Sequence, residues 1–113
     1  MLDLRKIPCK GITVKMSKRE LAKEFAKSLK DVEKIILFGS VARGEDKEDS
    51  DVDILIISRN KQKTKDKVIG KAMDILFDTG TYISVKVFSP QEFERLKNTH
   101  FISQIEKEGV LLG

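Results

Sequence analysis

The chain has 113 residues, 40% hydrophobic and 35% charged, the size of one domain able to bury roughly two thirds of its unfolded surface. No apolar run approaches the roughly 20 residues of a membrane span, and the N-terminus has no signal-peptide apolar segment, so a cytoplasmic setting is expected. The net charge of +4 invites a nucleic-acid partner, a reading that the local distribution of charge argues against below.

In residues 1–16, Ile12, Val14 and Met16 alternate with Thr13 and Lys15, which fits a short added edge strand or an arm for a partner. Cys9 is the single cysteine, so it forms no internal disulfide and reads as a small apolar residue, not a nucleophile. Ser17 and Glu20 form a capping box, with Met16 and Leu21 as its hydrophobic staple, starting a helix at Lys18. Leu21, Phe25 and Leu29, flanked by Ala22 and Ala26, give that helix one apolar stripe. Two short apolar runs follow, Ile35 to Phe38 and Val52 to Ile57, both read as buried strands.

Ser58 to Lys65 is expected to be a loop. The run Arg59, Lys61, Lys63, Lys65 and Lys67, opposed by Asp66 alone, holds no aromatic residue for base stacking and is taken as a solvated loop and helix start. A helix follows, marked by Val68, Ile69, Ala72, Met73, Leu76 and Phe77, with Gly80 as its left-handed end. Tyr82 to Phe88 is a third strand, Ile83, Val85 and Val87 facing one way and Tyr82, Ser84, Lys86 and Phe88 the other. Ser89, Pro90 and Glu92 start another helix anchored by Phe93 and Leu96. After a break at Asn98 and Thr99, a helical pattern of Phe101, Ile102 and Ile105 runs to Gly109, and Val110 to Leu112 is a last short strand or tail. His100, the sole histidine, is read as a helix-terminal surface residue and not as a general base. The expected fold is a single α/β domain over residues 1–113. It has a small mixed sheet, the strands at Ile35, Val52 and Tyr82 at its centre and helices mainly on one face.

The chemistry concentrates between the first two strands. At a strand period of two, Asp51 and Asp53 face the same way, their β-carbons about 6.5 Å apart. Side by side, each carboxylate disfavours ionisation of the other unless a cation lies between them. An all-oxygen donor set selects a hard ion, Mg²⁺ or Mn²⁺, over zinc. At the end of the first strand, Gly39 permits a tight turn and Ser40 begins a helical turn whose N–H groups and hydroxyl suit an anion. Alone, a Gly-Ser turn or an Asp-x-Asp is a common structural feature. Together, between two hydrophobic strands, they suggest a nucleoside triphosphate held with its metal.

Gly39-Ser40, ten residues, then Asp51-Val52-Asp53 resembles the G-S-x10-D-x-D signature of the minimal nucleotidyltransferases of the DNA polymerase β-like superfamily. Arg43, Gly44 and Ser50 also match its usual fill. The resemblance implies transfer of a nucleotide, AMP from ATP foremost, to a hydroxyl, with Asp51 and Asp53 as catalytic metal ligands and Gly39, Ser40, Arg43 and Ser50 around the nucleotide. Arg43 is equally open to phosphate binding or to pairing with Glu45 or Asp49, and Ser50 to fixing the carboxylates through a backbone bond. Larger relatives append a domain for the acceptor; here the acceptor surface would come from a second subunit or a protein target. By resemblance the leading partner is a small helical HEPN protein in a toxin–antitoxin pair.

Fully active relatives usually carry a third carboxylate on the next strand. Here that face offers Ser84 and Lys86, while Asp74, Asp78 and Glu92 lie off the strand. An alternative follows, a nucleotide- or partner-binding module without turnover. A nucleic-acid binder acting through the basic run is the third reading.

Overall fold

The computed structural model describes residues 17–112. The expected strand over residues 1–16, Met16 of the staple and Cys9 lie outside the described residues. In chain order the elements are α1 (Lys18–Lys27), β1 (Lys34–Phe38), α2 (Gly39–Arg43), β2 (Val52–Ile57), α3 (Lys61–Thr79), β3 (Ile83–Phe88), α4 (Pro90–Leu96), α5 (His100–Glu108) and β4 (Val110–Leu111).

Local chemistry starts the helices where the sequence places them. Ser17 Oγ accepts from the Glu20 N–H while the Glu20 carboxylate accepts from the Ser17 N–H, and Ser89 with Glu92 repeats the arrangement ahead of Pro90. Such caps are worth about 1 kcal/mol each. Gly80 ends α3 in the left-handed region, at φ 78°. The start of α3 is the exception: the expected loop from Ser58 to Lys65 is helical from Lys61 onward. Its inward row is Thr64, Val68 and Ala72, and Thr64 Oγ1 meets Ser58 Oγ at 2.7 Å inside the protein. This hydroxyl pair lets a polar residue continue the buried stripe one turn ahead of the first aliphatic one.

The sheet is mixed, in the order β3-β2-β1-β4. β1 runs antiparallel to β2 and β4, and β2 parallel to β3. β1 and β2 form the centre; β3 lies at an edge, not at the centre as expected, because β4 returns to the far side of β1. The helices are not confined to one face. Ala22 and Phe25 of α1 with Val68 and Ala72 of α3 cover Ile35, Leu37, Ile54 and Ile56. On the other face Phe93, Ile102 and Ile105 of α4 and α5 pack on Ile36, Leu55 and Ile57. Burial on both faces explains why both central strands are continuous apolar runs.

On α3, Ile69, Met73 and Phe77 are exposed, Phe77 by 78%, and Ile69 and Met73 line a groove with the exposed Tyr82. The basic run is partly tied down: Arg59 pairs with Glu33, and Lys61 Nζ sits 2.9 Å from both carboxylate oxygens of Glu92. Charge pairing within the fold, not a continuous cationic face, accounts for two of its five cations.

Candidate active site

β1 ends in Phe38, the cross-strand partner of Asp53. The chain then turns through Gly39 at φ 78° into the short helix α2, anchored inward by Val41 and Ala42. A side chain on Gly39 would run into the Asp53 carboxylate, whose Oδ2 lies directly over the glycine. Gly39 therefore meets two demands: a left-handed backbone, and room for a carboxylate against the turn. Gly44, at φ 73° with nothing nearby, meets only the first.

Asp51 and Asp53 flank the first residue of β2, Asp51 exposed and Asp53 half-buried. Burial lifts the Asp53 carboxyl above the ordinary aspartate range, and the Asp51 charge adds to the lift; Lys86 and Arg43 pull the other way. Asp51 is thus close enough for its charge to act on Asp53. Among the described residues no three His, Cys, Asp or Glu side chains gather into a metal-binding group. Two carboxylates on an open rim still fit Mg²⁺, which takes one or two carboxylates and completes its shell with phosphate oxygens and water. Two such donors do not fit zinc.

The loop before Asp51 is held by residues that the sequence did not single out. Lys18 Nζ donates to the carbonyl oxygens of Lys47, Glu48 and Ser50 at 2.6, 2.9 and 2.5 Å, and Arg19 donates to the Ala42 carbonyl at 2.8 Å. Both cations stand in the first turn of α1. Ser50 Oγ accepts from the Lys47 N–H at 2.8 Å, a side-chain-to-backbone bond of the kind expected of it. Arg43 Nε donates to Glu45 at 2.9 Å and its Nη1 to Glu108 at 3.2 Å, so in this state it pairs with Glu45 and not with Asp49. Ser40 is half-buried within α2, beside Gly39.

The third-carboxylate position is also defined. In the parallel register Asp53 pairs with Ser84 and Leu55 with Lys86, so the strand face beside the carboxylates carries a hydroxyl and an ammonium. Asp74 and Asp78 are on α3, and Glu92 is engaged by Ser89 and Lys61. His100 is exposed at the start of α5. An apolar groove lined by Val68, Met73, Tyr82 and Val85 lies on the opposite sheet face from Asp53.

The profile of the nucleotidyltransferase domain family matches residues 18–112. The chain belongs to that family. The activity for which that family is named is nucleotidyl transfer. Two proteins of Methanocaldococcus jannaschii, each named a putative protein adenylyltransferase, are similar to it. One is 36% identical over 102 residues, spanning 86% of this chain and 99% of the relative. The second is 36% identical over 100 residues, spanning 80% and 94%. Among solved structures, a mutant MntA-HpeT toxin–antitoxin superposes with a TM-score of 0.53 at 17% identity, over 87% of this chain and 73% of the other. A toxin–antitoxin crystallised with AMP-PNP gives 0.51 at 18%, with the same coverage. At these identities the two structures speak for the nucleotidyltransferase fold. No helix among the described residues is long and apolar enough to cross a membrane.

Proposed function

We propose that this nucleotidyltransferase transfers AMP from ATP to a hydroxyl on a partner protein. The observation that carries the reading is the Asp53 carboxylate seated over Gly39, with Asp51 beside it, at the turn into α2. That arrangement presents two anionic oxygen donors where the Gly39-Ser40 turn offers hydrogen-bond donors, so metal and triphosphate meet at one rim. The names of the two Methanocaldococcus relatives support a protein acceptor.

In this reading Asp51 and Asp53 hold Mg²⁺ or Mn²⁺, and Ser40 with the neighbouring backbone grips the phosphates. Arg43 exchanges a carboxylate partner for a phosphate oxygen, an exchange its exposed position allows. The bound ion supplies charge neutralisation on the phosphoryl oxygens. The acceptor oxygen attacks the α-phosphorus, the α–β bridging bond breaks, pyrophosphate leaves with the electron pair, and the hydroxyl proton passes to solvent. Ser50, through Lys47, and Lys18 keep the loop that delivers Asp51 in one shape. The partner proposed is a HEPN-like helical protein, a setting consistent with toxin–antitoxin pairs among its structural neighbours.

Incubation with labelled ATP, Mg²⁺ and a HEPN-like helical protein from the same source should label that protein, and Asp53→Asn should abolish the label. No labelling with any of the four NTPs would sink the proposal. A second reading, nucleotide binding without turnover, is favoured by Ser84 standing opposite Asp53. It predicts metal-dependent ATP binding in the calorimeter with no pyrophosphate release.

A further inference from the structure

The register that places Ser84 beside Asp53 also determines where Lys86 stands. Cα partners in a parallel pair share a face, so Asp53, Leu55, Ser84 and Lys86 lie on one side of the sheet and Val85 and Val87 on the other. Leu55 is fully buried under α4 and α5, whereas Lys86 is exposed. Lys86 is one of two cations whose charge is felt at Asp53. The other, Arg43, is held by Glu45 and Glu108. Among the described residues no carboxylate lies within ion-pair distance of Lys86. Of the two cations felt at Asp53, Lys86 is thus the one with no ion-pair partner among the described residues.

A triphosphate carries more negative charge than one divalent ion neutralises, and the two carboxylates bring two charges more. A lysine ammonium is a compact point charge with three donors, suited to phosphate oxygens. We propose that Lys86 is a nucleotide-binding residue whose ammonium takes triphosphate oxygens from the β3 side. It occupies the strand face where a third carboxylate would bind a further metal ion, so the site works with one divalent ion. This rests on the reading of Asp51 and Asp53 as the metal and nucleotide site. A lysine on an edge strand also discourages strand addition, a role that would leave nucleotide affinity untouched.

The test is calorimetric titration of the full chain with ATP, AMP-PNP and AMP at fixed Mg²⁺, together with a Mg²⁺ titration in the presence of AMP-PNP. Lys86→Ala should weaken ATP and AMP-PNP about tenfold, as loss of a charged hydrogen bond does, and AMP by less than about twofold. Lys86→Arg should recover most of the affinity. Wild type should take up one Mg²⁺ with AMP-PNP, and Lys86→Asp, which supplies the missing carboxylate, a second. ATP binding by Lys86→Ala within about twofold of wild type at low salt, or two ions in wild type, would overturn the proposal. Asp53→Ala separates the failures. If it abolishes ATP binding while Lys86→Ala does not, the lysine assignment alone falls; if neither matters, the site reading falls with it. Lys86 is exposed on its strand, so circular dichroism of Lys86→Ala should match wild type.

Discussion

Gly39 and Gly80 offer a matched pair of substitutions. Both have φ 78°, but a methyl at Gly80 meets nothing within 4 Å, whereas at Gly39 it meets the Asp53 carboxylate. The left-handed backbone costs an L-residue about 1–2 kcal/mol, and this component should be common to Gly39→Ala and Gly80→Ala. Gly39→Ala must in addition push Asp53 off its rotamer, at about 0.5–1.5 kcal/mol, giving a total of about 1.5–3.5 kcal/mol. Equilibrium urea unfolding measures both losses, and calorimetric Mg²⁺–ATP titration measures the consequence. Gly80→Ala should bind ATP as wild type does, while Gly39→Ala should bind it at least about tenfold more weakly because Asp53 has been moved. Equal losses of stability, with ATP binding intact in Gly39→Ala, would refute the link between turn and carboxylate.

Other substitutions probe the remaining parts. In metal-free protein Asp53→Asn should be at least as stable as wild type at pH 7. The folded-state pKa of Asp53 is raised, so its ionisation opposes folding as pH climbs above the ordinary 3.8; a clear loss of stability on this change would contradict the burial argument. Lys18→Met should cost about 1 kcal/mol, because two of its three carbonyl bonds are exposed. It should also speed amide exchange from Glu48 to Asp51; unchanged exchange there would remove Lys18 from the site's support. Glu92 is held down to about 2 by the Ser89 N–H and Lys61, so its stabilisation is complete above about pH 4.5 and lost as pH falls toward 2. Glu92→Gln should therefore be less stable than wild type at pH 7 and converge with it in acid, as read by unfolding midpoints across that range.

Where the sequence was legible, the signal was local. The starts of α1 and α4, the Gly80 stop and the short strands are all written within a few residues, and the structure follows them. The early start of α3 was hidden because Thr64 counts as polar until its hydroxyl is paired with Ser58. Coverage of both sheet faces had a signal that could have revealed it: Ile35, Ile36 and Leu37 leave no solvated side to β1, and Ile54 to Ile57 none to β2. The sheet order had no such signal, since the pairing of β4 with β1 joins segments more than 70 residues apart.

For the proposed site, the donor types were already legible in the sequence. Two like charges at a strand period of two, after a glycine turn, are a property of covalent spacing and need no fold to be recognised. Tertiary structure decided what surrounds them. It brought the Asp53 carboxylate over Gly39, closed Lys18 on the loop from α1, drew Arg43 to Glu108, and aligned Ser84 and Lys86 with the carboxylates through the parallel register. Each of these contacts joins residues distant in the chain, and only the packing of helices against a twisted sheet decides which of them meet.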